Sequence, residues 1–167
     1  MRNLGHSRVS GMIVEVEAYR GEEDQGCHAR AGLTPRTKIM YSEPGHAYIY
    51  FTYGMHWMLN FVTEEEGYPA AVLIRAIALQ EGEDFVAARR KGQPRQHWTD
   101  GPAKICRALD IDGRLNGSDL CVENAPILVE GVKGEAKMDL NVTTGPRVGL
   151  NNVPEPWKSI SWRFVAN

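Results

Sequence analysis

The stretch from His46 to Val62 constrains the fold more than any other part of the chain. It reads HAYIYFTYGMHWMLNFV, dense in aromatic and β-branched residues on both sides of Gly54, and such residues favour a pleated strand over a helix. One glycine amid them marks a tight connection, so two antiparallel strands are predicted, with Tyr53, Met55 and His56 at or beside the tip. Asn60 falls inside the second, otherwise apolar strand, where a buried amide must find hydrogen-bond partners. A third strand is predicted over about 70–78, a continuous apolar run broken by Arg75, whose charge requires a partner or an aqueous cleft.

Upstream, Met12, Val14 and Val16 alternate with Glu15 and Glu17, the period-two pattern of a half-buried strand that runs to about Tyr19. Residues two apart share a face, so Glu15, Glu17 and Tyr19 are expected to project together. Thr34-Pro35 reads as an N-cap and first helical turn, predicting a short basic helix through about Met40 that Pro44-Gly45 ends. After the third strand the spacing becomes helical. The segment 81–91 carries Phe85, Val86 and Ala88, and Asp100-Gly101-Pro102 opens a second helix with Ile105, Ala108 and Leu109. Short strands are plausible at 125–130, 147–150 and 159–165. With neither an internal repeat nor a dividing linker, the reading is one α+β domain over residues 1–167, mostly antiparallel.

Composition narrows the function classes. A chain of 167 residues with 43% hydrophobic and 24% charged content is globular, and buries enough surface to fold without disulfides or a structural metal. No apolar run is long enough to span a membrane, and no apolar signal stretch follows Arg2 and Arg8, so an intracellular soluble protein is expected. Cys27, Cys106 and Cys121 are odd in number and form no Cys-x-x-Cys pair, which fits free thiols rather than a disulfide framework or zinc site. The net charge of -2 argues against a nucleic-acid partner when taken as a sum. Its distribution does not: the segment 25–42 carries Arg30, Arg36 and Lys38 without a carboxylate, and Arg89, Arg90, Lys91 and Arg95 form a second basic cluster. Opposite-sign blocks allow a positive face on a negative chain, although solvated helix faces give the same pattern.

Taken singly, the strand glutamates, the tyrosine-rich hairpin and the loop residue His28 are compatible with an ordinary solvent face, a core and a surface position. Taken in order, Val14-Glu15-Val16-Glu17-Ala18-Tyr19, His28-Ala29-Arg30-Ala31-Gly32, Thr34-Pro35-Arg36, Pro44-Gly45, Tyr48-Ile49-Tyr50, Tyr53-Gly54-Met55 and Asn60 resemble the alkyladenine DNA glycosylase family, the 3-methyladenine DNA glycosylases of the mammalian type. The resemblance continues through Val72-Leu73-Ile74-Arg75-Ala76, Gly101-Pro102-Ala103-Lys104-Ile105-Cys106 and Pro146-Arg147-Val148-Gly149, and so covers nearly the whole chain. It implies a curved, mostly antiparallel sheet with a protruding hairpin and flanking helices. It also implies a monofunctional enzyme that flips alkylated or deaminated purines (3-methyladenine, 7-methylguanine, hypoxanthine, ethenoadenine) from double-stranded DNA and hydrolyses the N-glycosidic bond.

By that resemblance Glu17 is the general base and Arg75 holds the catalytic water and target phosphate. Tyr19 and Tyr50 are walls of an aromatic cage, His28 is its third side and hydrogen-bonding edge, and Asn60 obstructs the exocyclic amino group of guanine. Tyr53 is the wedge that fills the gap left by the flipped nucleotide, flanked by Met55 and His56; the family often has an aromatic at position 56. Arg36, Lys104 and Arg147 are expected at backbone phosphates. The family implies no metal, no cofactor and no lysine nucleophile, and a monomer is expected, in the cytoplasm or nucleoid of a prokaryote or the nucleus of a eukaryote. Family members normally place a helix and strand before the Glu17 strand, which here begins close to Met1. Two other readings remain open at this point: a non-catalytic module that binds damaged or distorted DNA, and a hydrolase of free nucleosides.

Overall fold

The aromatic run folds back on itself as its residue types demand. The computed structural model describes residues 1–5, 7–131 and 141–167. In chain order they form β1 (Arg2–Asn3), β2 (Arg8–Arg20), β3 (Ala47–Thr52), β4 (His56–Val62), β5 (Ala70–Glu81), α1 (Glu83–Arg89), α2 (Pro102–Ala108), β6 (Val142–Gly145) and β7 (Arg163–Ala166). The strands lie in the order β3-β4-β5-β2-β7-β6, each neighbouring pair antiparallel, and β1 pairs with the start of β2. This is the expected α+β domain.

Alternation along these strands separates two cores. Ile49, Leu59 and Ile74 point to one face, where they pack with Val86 of α1 and Ile105, Cys106 and Ala108 of α2. Tyr48, Val62 and Ala71 point to the other, against Cys27, Ala29 and Met40 from the long connection between β2 and β3. Burial on both faces is why β5 reads as an unbroken apolar run rather than an alternating one. The second face is the thinner one, covered by loops and two short 3-10 turns (His28–Ala31 and Lys38–Tyr41), and it holds the candidate site.

A paired irregularity sets that site's geometry. Between Ile13 and Val16 on β2 and between Ile74 and Ile77 on β5 the register slips twice, leaving Val14 and Arg75 as the extra residue on their respective strands. Val9 and Val16, an odd and an even position, consequently pack in the same core. The strict alternation expected from Met12 onward is thus interrupted at Val14, while Glu15 and Glu17 still share a face because the bulge precedes them. Arg75, two residues on from the Leu73 that faces Glu17, shares the carboxylate-bearing face, and the irregularity leaves it unpaired in the ladder beside Glu15.

Several expectations are corrected. Thr34-Pro35 opens no helix through Met40: Thr37, only 2% exposed, exchanges hydrogen bonds with Thr34 and donates from its hydroxyl to the Gly32 carbonyl at 2.8 Å. These side-chain bonds replace a helical ladder with a turn, followed by the 3-10 turn at Lys38–Tyr41. Residues 125–130 make a single bridge, Arg2 to Ile127, next to Pro126, which has no N–H to extend it. Residues 147–150 form a loop whose groups are spent on buried side chains. The last strand covers only Arg163–Ala166, because Trp162 turns back to the Ile160 carbonyl. Its partner β6 has no counterpart in the sequence reading.

Candidate active site

Glu17 sits near the middle of the sheet, opposite Leu73 of β5 and Arg163 of β7, with 0% exposure. A charge so placed must be compensated by donors. Three are present: the Val148 N–H donates to Oε1 at 2.6 Å, the Tyr19 hydroxyl donates to Oε2 at 2.8 Å, and Arg75 Nη1 lies 3.3 Å from Oε1. Burial, followed by the charge and hydrogen bond of Glu17, holds the Tyr19 phenol far above its ordinary range, so it remains a donor.

Arg75 is shared. Its Nε donates to Glu15 Oε1 at 2.7 Å, and Arg163 Nε reaches the same oxygen at 2.7 Å. Burial pushes the Glu15 carboxyl up, but the bonds from Arg163 and Arg75 outweigh it and hold the group below its usual value. Glu15 therefore fixes the guanidinium beside Glu17.

Glu17 and Arg75 line one side of a cavity of about 230 Å³; Tyr19, His28, Tyr48, Tyr50 and Asn60 line the rest. Its scale suits one planar heterocycle. The His28 and Tyr50 rings meet edge to face at 4.5 Å, and Tyr48 and Tyr50 are tilted at 5.5 Å. His28 Nδ1 is hydrogen-bonded to the Tyr48 hydroxyl at 2.9 Å. Burial above all, then the charges of Arg36 and Arg30, lowers the imidazole to about 4, so at neutral pH it is an uncharged donor or acceptor. Burial raises Tyr50 to about 12. Asn60, 3% exposed, donates from Nδ2 to the Tyr48 carbonyl at 3.0 Å, which locks its amide at the cavity wall.

The hairpin tip leaves the body of the protein. Tyr53 is 83% and Met55 67% exposed, and His56 is exposed beside them. Tyr53 and Gly54 both have left-handed backbones, φ 52° and 66°; glycine adopts this freely, but a tyrosine there is disfavoured by roughly 1–2 kcal/mol. A second groove, of about 550 Å³, is lined by Met55, His56 and Trp57 and by Arg89, Lys104 and Arg107, with Asp110 and Asp112 among them. Lys104 pairs with Asp100 at 2.7 Å, one turn earlier.

The sequence-predicted residues thus divide. Glu17, Arg75, Tyr19, His28, Tyr50 and Asn60 meet around one cavity, Tyr53 lies at its mouth, and Met55 and His56 flank it. Arg36 lies outside the lining, its Cζ 5.3 Å from the Tyr50 centroid. Arg147 is a correction. Its side chain is fully buried in an ion pair with Asp24, with Nη2 to Oδ1 at 2.7 Å and its Cζ 4.6 Å from the Tyr19 centroid; no exposed atom is left for a phosphate. Sequence reasoning did not single out Asp24, Tyr48 or Arg163. It quoted Val148 only within a motif, since a backbone N–H has no side-chain signature. Among the described residues, no group of three or more His, Cys, Asp or Glu side chains is placed to hold a metal ion.

Residues 1–167 match the family described as methylpurine-DNA glycosylase. The chain belongs to that family. Three relatives each carry the name "Putative 3-methyladenine DNA glycosylase". The protein of Methanocella arvoryzae is 41% identical over 163 residues, covering 95% of this chain and 79% of its own. That of Desulfitobacterium hafniense is 43% identical over 166 residues, covering 94% and 79%. That of Chlamydia felis is 41% identical over 175 aligned positions, covering 98% and 87%. Methylpurine-DNA glycosylases are hydrolases of N-glycosyl bonds that act in DNA repair, so DNA is the substrate class of this chain. None of the described helices is long and apolar enough to cross a membrane.

Proposed function

We propose that this methylpurine-DNA glycosylase flips alkylated or deaminated purines out of double-stranded DNA and hydrolyses the bond from the base to C1′, acting as a monomer. The observation that carries the reading is the wholly buried Glu17 carboxylate, held by three donors at the wall of an aromatic cavity. A binding module needs neither a general base nor a residue to hold its water, so Glu17 and Arg75 together at a cavity walled by Tyr19 and Tyr50 favour catalysis over binding alone.

In the proposed reaction the flipped base lies against Tyr19 and Tyr50, its edge toward His28, with Asn60 excluding the amino group of guanine. Glu17 takes a proton from a water whose oxygen bonds to C1′. The glycosidic bond breaks and its electron pair leaves with the base. An alkylated cation departs neutral, whereas a neutral purine departs as an anion that takes a proton from solvent, and Glu17 returns its own proton to solvent. The sugar develops positive charge as the bond lengthens, and the carboxylate stabilises it while Arg75 orients water and phosphate. Tyr53 inserts where the nucleotide was stacked, offsetting the unstacking cost. A preformed left-handed backbone aims that ring outward, so the strain is tolerated where it serves insertion.

The test is base release from duplexes carrying single 3-methyladenine, 7-methylguanine, hypoxanthine or ethenoadenine residues. The expected products are the free base and an abasic strand that stays intact until treated with alkali. Binding without release from any of the four would favour the non-catalytic module instead.

A further inference from the structure

The Tyr50 ring that lines the cavity carries a guanidinium over one of its faces. Arg36 Cζ is 5.3 Å from the ring centroid, and Arg36 is exposed and absent from the lining that includes Tyr50. Its charge therefore lies close beside a wall of the cavity without being part of the lining. Among the described residues Arg36 takes part in no salt bridge. The other wall differs: Arg147 also stacks on its tyrosine, at 4.6 Å, but Asp24 neutralises it. The cage thus has a positive charge without an ion-pair partner among the described residues beside one of its two tyrosine walls.

We propose that Arg36 sets the charge preference of the pocket, penalising cationic purines such as those alkylated at N7 or N3 and shifting selectivity toward neutral lesions such as hypoxanthine and etheno adducts. The proposal rests on the glycosylase reading above. An aromatic ring attracts a cation through the negative potential of its face, and a guanidinium already on one face opposes a second cation on the other. The field of Arg36 is felt elsewhere in the cage. After burial it is the largest influence holding His28 down at about 4, with Arg30 next, and it acts on the hydroxyls of Tyr48 and Tyr50. A base stacked at van der Waals distance, about 3.5 Å, on the ring face opposite the guanidinium would lie roughly 9 Å from it, the widest separation that stacking on this ring allows. Two unit charges at that separation alter an equilibrium by about twofold in a water-like medium and about twentyfold at an effective dielectric of 20. The extra charge of a cationic substrate persists from encounter to bond cleavage, so the discrimination is read in kcat/KM.

The experiment compares kcat/KM on duplexes carrying 7-methylguanine or hypoxanthine for the wild-type protein, Arg36→Met and Arg36→Lys. The ratio of cationic to neutral substrate is expected to rise about two- to twentyfold in Arg36→Met and to stay near wild type in Arg36→Lys. An unchanged ratio, including an equal fall on both substrates as a lost phosphate contact gives, overturns the proposal. NMR titration of His28 supplies a second readout independent of activity. Beside Tyr48, Tyr50, Arg30 and Arg36, its imidazole is expected to titrate at higher pH in Arg36→Met, and an unmoved titration argues against the field. If the wild-type protein releases neither base, the glycosylase reading fails, and the titration alone then decides whether Arg36 acts on the cavity.

Discussion

Asp24→Ala is expected to be among the most destabilising single changes available outside the cavity. Asp24 and Arg147 are both buried, and the carboxylate accepts from Arg147 Nη2 at 2.7 Å and from the Gly26 N–H at 2.8 Å. Arg147 also donates to the Ala18 and Trp157 carbonyls at 3.0 and 3.3 Å, but its Nε has no partner among the described residues. Removing the acid leaves a guanidinium buried without its counter-charge, a loss of about 3–5 kcal/mol where such pairs have been broken. Against a total of about 5–15 kcal/mol for an ordinary domain, that is about a fifth or more of the whole. At about 2–4 °C per kcal/mol for a chain of this size, it lowers Tm by roughly 6–20 °C. Urea or thermal denaturation of Asp24→Ala, Arg147→Met and the double variant measures it. The double variant should recover at least half of the loss, because an apolar pair carries no desolvation penalty. A single-variant loss below about 1 kcal/mol, or a double variant no better than Asp24→Ala, would refute the reasoning. The pair also joins the loop before the cage to the segment holding Val148, so Asp24→Ala should slow base release even at temperatures where it remains folded.

Tyr53→Gly relieves the left-handed backbone strain and should raise stability by up to about 1 kcal/mol in denaturant titration, while base release from duplex DNA falls at least tenfold; a loss of stability would contradict the strain argument. His28 is favoured neutral in the fold, with its imidazole lowered from 6.5 to about 4, so its contribution is complete above pH 6.5 and is lost as pH falls toward 4. A His28→Gln variant should lack this part of the acid destabilisation, measured by denaturation across pH 4–7. Lys104→Ala together with Arg107→Ala should lower the slope of log binding constant against log salt by about 0.9 for each lost phosphate contact; an unchanged slope would place the groove beside Trp57 away from DNA.

The fold was legible where residue type and spacing agreed. The 46–62 run could only pair with itself around Gly54, and the apolar run after Ala70 required burial on both faces. What stayed hidden depended on contacts between distant segments. No local pattern distinguishes the Val14 and Arg75 bulges from continuous strands, because both arise from how β2 and β5 pair. Thr34-Pro35 carried a valid helix-start signal that two threonine hydroxyls overrode. Arg147 read as a surface cation because its partner Asp24 is 123 residues away. The identities around the cavity came from the ordered motifs rather than from periodicity, which explains why side chains were anticipated while the Val148 N–H was not.

The central claim is that Glu17 is the base of an N-glycosyl hydrolase. Single-turnover base release by Glu17→Gln on a hypoxanthine or 3-methyladenine duplex, paired with a binding assay on the same DNA, tests it most directly. Glutamine keeps the shape but cannot take a proton, so release should fall by at least about a hundredfold while binding stays within a few fold of wild type. Release at the wild-type rate from a folded Glu17→Gln protein would contradict the account.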